Sequence, residues 1–132
     1  MTDSGADATV YVIDDEKSVQ RALIRLLSSA GISGVAFSSV DEFEASDPLT
    51  TNACVVADVH MPGISAIDLP GRLEKRGLKL PVIFITGRDS SETRRRAQLA
   101  GAAAYFRKPV DDQALVDTIH WAIDGRRAER EG

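Results

Sequence analysis

The chain has 132 residues, of which 43% are hydrophobic and 27% charged, with a formal net charge of −4. That is enough for one domain with a real core, and the acidic balance argues against a dedicated nucleic-acid surface. The longest apolar runs are far too short to span a membrane, the start MTDSGADA has no apolar signal core, and Cys54 has no internal disulfide partner, so a cytoplasmic protein is expected.

Residues 1–8 read as a flexible lead-in. TVYVI (9–13) is a β-branched run and a strand candidate, followed at once by Asp14 and Asp15. From Ser18, a candidate N-cap, the pattern turns helical. Val19, Ala22, Leu23, Leu26, Leu27 and Ala30 fall on one face, and Gly31 supplies the stop. GVAFS (34–38) reads as a second strand. Ser39 and Glu42 then have capping-box spacing for a short helix over Val40 to Ser46. ACVVA (53–57) is apolar on both faces, which marks a central strand of a parallel sheet ending in Asp58. Cys54, inside that run, reads as a small core residue.

After His60, Met61-Pro62-Gly63 forms a turn. ISAIDLPGRLEKRG has helical spacing interrupted by Pro70-Gly71, which predicts a kinked helix or one restarted with Pro70 in its first turn. PVIFIT (81–86) is a fourth buried strand. DSSETRRRAQLAG (89–101) is helical but offers only Thr93, Ala97 and Ala100 to the core, so it is expected to be loosely held. Its basic TRRR stretch reads as a solvated face or as a docking surface shared with Tyr105 and the last helix. AAYF (103–106) is a fifth strand. The last helix starts near Asp111, with Leu115, Ile119, Ala122 and Ile123 as its inner stripe, and GRRAEREG forms a charged tail. Trp121 lies roughly 120° or more off that stripe, either as an interface aromatic or packed against a neighbouring helix.

Five strand–helix repeats predict an α/β domain, a doubly wound five-stranded parallel sheet with helices on both faces. Such sheets bind ligands outside the carboxyl ends of their strands, at a topological switch point. The polar residues at those ends are Asp14 and Asp15, Asp58, Thr86, and Arg107-Lys108-Pro109. With strand order 2-1-3-4-5, three carboxylates converge on one pocket. Like charges that close need compensation, and a divalent cation with one lysine would supply it. Oxygen ligands in a shallow site favour Mg²⁺. A hydroxyl, a lysine and a metal together suit the oxygens of a phosphoryl group.

VIDDE, DVHMPG, IT and KP, in that order, resemble the receiver domain of two-component response regulators, with a CheY-like fold. The likeness covers roughly residues 9–124, leaving 125–132 as the tail. Asp58 and Thr86 are 28 residues apart and Thr86 and Lys108 are 22 apart, spacing similar to receivers of the FixJ type. The resemblance implies that Asp58 accepts a phosphoryl group from a sensor histidine kinase or phosphotransfer protein. It implies that Asp15 and Asp58 ligate Mg²⁺ (or Mn²⁺) directly, Asp14 through a water, and His60 by its backbone carbonyl. Lys108 and Thr86 would bind phosphoryl oxygens, Tyr105 would rotate inward behind Thr86, and the Lys108–Pro109 bond would be cis.

The implied output is a changed surface around the fourth helix, fifth strand and fifth helix, read by a phosphorylation-dependent dimer or a downstream protein. No nucleic acid or membrane would be contacted. Such a domain is not a turnover enzyme, although slow self-dephosphorylation is expected. His60 invites the reading of a general base or phosphohistidine; the reading adopted is a loop side chain beside the pocket that, with Arg88, tunes phosphoryl-group lifetime. Two features depart from the family pattern: Ala66 stands where glycine is common, and the Pro70-Gly71 pair interrupts the third helix. The rival class is a haloacid-dehalogenase-type phosphatase with an aspartate nucleophile, which needs an acid where this chain has His60. The domain is either a stand-alone receiver or a piece of a longer regulator.

Overall fold

A computed structural model describes residues 8–60 and 65–131, with side chains described through residue 125. The Met61-Pro62-Gly63 turn and residues 1–7 of the lead-in lie outside the described residues. The elements alternate: β1 Thr9–Ile13, α1 Lys17–Ser29, β2 Ser33–Phe37, α2 Val40–Ala45, β3 Ala53–Asp58, a 3-10 turn Ala66–Asp68, α3 Leu69–Lys75, β4 Val82–Thr86, α4 Ser91–Leu99, β5 Ala104–Arg107 and α5 Asp112–Glu131. All strand pairs are parallel, in the order β2-β1-β3-β4-β5.

The two-residue period of the strands splits the core in two. Val10, Val12, Cys54, Val56, Ile83 and Ile85 face α1 and α5, where they meet Leu27, Leu115, Ile119 and Ile123. Tyr11, Ile13, Val55, Ala57 and Phe84 face the opposite way, onto Phe43, Leu69, Leu73 and Ala97. β3 is buried along its whole length, as an apolar run in the middle of a parallel sheet should be.

Helix α3 takes the restarted form. Ser65 caps the 3-10 turn, and the α-helix begins afresh with Pro70 in its first turn, where the missing proline donor costs nothing. Helix α1 keeps Leu23, Leu26 and Leu27 of its expected face on the core but differs in its start and at Gln20, Ala22 and Ala30. It begins at Lys17, after Glu16, and Ser18 is not its cap. Its buried residues are Gln20 and Leu27, whereas Ala22 and Ala30 are exposed. The reason is polar: the Gln20 amide donates to the Asp14 carbonyl at 2.6 Å, to Ser38 Oγ at 3.1 Å and to the Phe37 carbonyl at 3.3 Å. The helix is thus rotated to tie the ends of β1 and β2 together. Gly31, at φ 77°, ends it as expected. Helix α5 buries its predicted stripe, leaves Trp121 64% exposed, and continues through the charged segment to Glu131.

Candidate functional site

Because β1 and β3 are neighbours while their following helices lie on opposite faces, a crevice opens at their carboxyl ends. Asp14 and Asp58 are carried there by the last turns of apolar strands and are buried, whereas Asp15, one residue on, is exposed. One carboxylate oxygen from each of the three lies within 4.8 Å of the others. Lys108 reaches in from the end of β5, its Nζ 3.3 Å from Asp58 Oδ2 and 3.5 Å from Asp14 Oδ2. Its backbone amide donates to the Thr86 carbonyl at 2.7 Å, which fixes where that side chain starts. The Lys108–Pro109 peptide is cis.

The backbone organises the acids. The Glu16 amide donates to Asp14 Oδ1 at 2.9 Å, and the His60 amide donates to Asp58 Oδ1 at 3.0 Å. Burial raises the Asp14 pKa above its ordinary value; the Glu16 amide and Lys108 oppose this, and the Asp58 charge reinforces it. Burial also draws the Lys108 pKa down, but the charges and hydrogen bonds of Asp58 and Asp14 outweigh it, so the lysine sits above its ordinary value. Lys108 is therefore firmly a cation, yet its one charge faces three acids. A buried carboxyl held above its usual pKa beside two others is a donor set short of positive charge, and hard oxygen donors in that number fit a small divalent cation.

Thr86 is fully buried at the end of β4, and its Oγ1 accepts from the Arg88 amide at 3.0 Å. His60 is exposed at the rim. Its Nε2 is 3.3 Å from the Arg88 carbonyl oxygen, so the imidazole bridges the loops that follow β3 and β4. Tyr105 stands apart from the acids: its hydroxyl donates to Asp89 Oδ1 at 3.0 Å. Sequence reading missed two contributors. Gln20 carried a faint signal, an amide on the helix that follows the acid pair. Asp89 carried none, because its partners lie up to 18 residues away.

Fold and pocket define a doubly wound α/β domain whose switch point gathers acids, a lysine and a hydroxyl for work on a small anionic group. Comparison with known proteins then gives the family: residues 10–120 match the response regulator receiver domain model, and the chain belongs to that family. It is a receiver of two-component signalling, which leaves the phosphatase alternative without support. Among its relatives, nodulation protein W of Bradyrhizobium diazoefficiens is 35% identical over 98% of this chain and 57% of its own length. The transcriptional regulatory protein FixJ of Azorhizobium caulinodans is 38% identical over 92% of this chain and 57% of its own length. The chain thus spans about half the length of the curated relatives it matches. The crystal structure of FixJ-N superposes with a TM-score of 0.81 at 30% identity, covering 89% of this chain and 94% of that one. The response regulator StyR superposes at 0.85 with 34% identity, covering 95% and 63%.

Proposed function

We propose that Asp58 is the phosphoryl acceptor of this receiver. The observation that carries the reading is the Asp58 carboxylate itself, buried at the end of the central strand with Lys108 Nζ 3.3 Å from one oxygen and the His60 amide 3.0 Å from the other. Its carboxylate oxygen attacks the phosphorus of a phosphohistidine on a sensor kinase or phosphotransfer protein. A P–O bond forms, the P–N bond breaks, and the imidazole leaves with the electron pair and takes up a proton. The products are an aspartyl phosphate and free histidine.

Asp15 and Asp58, with the His60 carbonyl and Asp14 through a water, would hold Mg²⁺ or Mn²⁺, which supplies positive charge to the phosphoryl oxygens when bound. Lys108 contributes a second, fixed positive charge. The Thr86 hydroxyl already accepts from Arg88, and its own proton is available to a phosphoryl oxygen. Tyr105 follows Thr86, and the surface of α4, β5 and α5 changes for a second copy or a downstream protein. His60 and Arg88, joined across the rim, set how water reaches the acyl phosphate. The domain occupies residues 9–124, with 125–132 as its charged extension. It acts in the cytoplasm as a regulatory element, with slow self-dephosphorylation and no external substrate. Among the described residues no helix is long and apolar enough to cross a membrane.

The test is incubation with acetyl phosphate and Mg²⁺, read by intact mass. The wild type gains one phosphoryl group and Asp58→Asn gains none. His60→Ala and Arg88→Ala still take up the label but change its half-life. Label that survives in Asp58→Asn and disappears in His60→Ala would overturn the reading.

A further inference from the structure

Asp89 sits in the loop between β4 and α4 and collects three side chains from outside that loop. Tyr105 donates its hydroxyl to Oδ1 at 3.0 Å, Arg94 donates to Oδ2 at 2.7 Å, and Arg107 Nη1 is 3.9 Å from Oδ2. Only 15% of the Asp89 side chain is exposed. The Arg94 guanidinium also lies over the Tyr105 ring, 5.5 Å from its centroid, so the ring is held by both its hydroxyl and its face. The Ser90 backbone also hydrogen-bonds Tyr105, and the ring packs partly buried against the core on the α4 side of the sheet. Beside Tyr105 there is a cavity of about 460 Å³ whose lining includes Ala97, Ala102 and Ala104.

The loop is short and each end is tied. Thr86 Oγ1 accepts from the Arg88 amide at one end, and Ser90 Oγ accepts from the Thr93 amide at the other, starting α4. Asp89 stands between them. A Thr86 hydroxyl that moves toward a phosphoryl group on Asp58 would pull on the Arg88 amide it accepts from, and Asp89 is the next residue along that loop. We propose that Asp89 is a positioning residue, a latch that holds Tyr105 and the start of α4 in the unphosphorylated arrangement and must release for the switch to turn. This deepens the reading of Asp58 as acceptor and rests on it. Asp89 touches no reacting atom; it acts through Tyr105 and the loop.

The experiment is the rate of labelling of the full chain by acetyl phosphate with Mg²⁺, followed by intact mass, for the wild type, Asp89→Ala, Asp89→Asn, Tyr105→Phe and the double variant Asp89→Ala/Tyr105→Phe. Loss of one hydrogen bond of this kind shifts a two-state equilibrium about 3- to 10-fold. Asp89→Ala, which removes the Tyr105 hydrogen bond together with the Arg94 and Arg107 contacts, is expected to label faster than wild type by at least that factor. Asp89→Asn, which retains an acceptor for the Tyr105 hydroxyl, should fall between the two. Tyr105→Phe should speed labelling as well, and the double variant should be no faster than Asp89→Ala alone. The Tyr105 ring signals in the NMR spectrum of unphosphorylated Asp89→Ala should shift and broaden. Unchanged or slower labelling by Asp89→Ala, or full additivity in the double variant, overturns the latch while leaving Asp58 in place. Failure of the wild type to take any label overturns the acceptor reading, and the latch falls with it.

Discussion

Burial holds the Asp14 carboxyl above its ordinary pKa of 3.8, and the Glu16 amide and Lys108 offset that only in part. The consequence for stability has a definite sign. A group whose folded pKa is raised stabilises the fold below its unfolded pKa and loses that contribution as pH rises through the folded value. Ionised Asp14 therefore works against folding at neutral pH. Asp14→Asn keeps an acceptor for Glu16 and removes the charge. It should raise the melting temperature of the metal-free protein at pH 7, by about 3–6 °C for each kcal/mol gained, and the advantage should shrink as pH falls towards 4. Mg²⁺ should raise the melting temperature of the wild type more than that of the variant. Thermal melts across pH, with and without Mg²⁺, check both; a destabilised metal-free variant at pH 7 would contradict the account. Asp14, Asp58, Thr86 and Lys108 were legible as residues because each is a polar group standing where an apolar strand ends. Gln20 was not, since hydrophobic periodicity has no way to rank a polar side chain that is buried to bond backbone carbonyls. Asp89 was not, since its partners are set by how α4 packs beside β5.

At the scale of elements, α2 shows how little chain can form a helix when both ends of the problem are solved. Six residues are too few to persist alone. Ser39 Oγ accepts from the Glu42 amide at 3.1 Å, while the Glu42 carboxylate accepts from the Ser38 amide at 2.7 Å. The capping box read from the sequence is present, displaced by one residue on its return bond. Phe43 then inserts fully buried between Tyr11 and Phe37, with ring centroids 5.4 Å from each. Losing the cap and losing the plug should cost different amounts: about 1 kcal/mol for Ser39→Ala and about 3–5 kcal/mol for Phe43→Ala. Urea denaturation at fixed pH measures both, and a cap variant as damaging as the Phe43 variant would contradict the division. Strand positions were readable to within a residue or so because short apolar runs stand between helical or turn segments, although β2 holds one β-branched residue and β5 none. The face of α1 was read in part: Leu23, Leu26 and Leu27 meet the core, but Ala22 and Ala30 are exposed and Gln20 is buried by its hydrogen bonds.

Over the whole molecule, the two halves of the core are unequally secured near the pocket. The face bearing α1 and α5 is filled by Leu27, Leu115, Ile119 and Ile123 against the strands. On the opposite face α2 and α3 contribute Phe43, Leu69 and Leu73, but α4 contributes Ala97 as its one buried residue. Buried apolar area sets what an element loses on opening, so α4 is the helix that moves at least cost. Its attachments are instead polar: the Ser90 cap and the Asp89 cluster, both in the loop that starts at Thr86. On the proposed reading, a charge added at Asp58 would act on the part of the fold held by hydrogen bonds and leave the part held by packing alone. Hydrogen exchange with mass-spectrometric readout tests this directly. In the unphosphorylated protein the amides of β1, β3 and β4 should be the slowest to exchange, and those of α4 faster than those of α1 before Ala30 or α5 before Asp124. After phosphorylation the change in protection should centre on residues 87–99 and 104–107. If it centred on α1 and β2 instead, the signal would leave by the Gln20 tie between those elements, and the α4 route would be wrong.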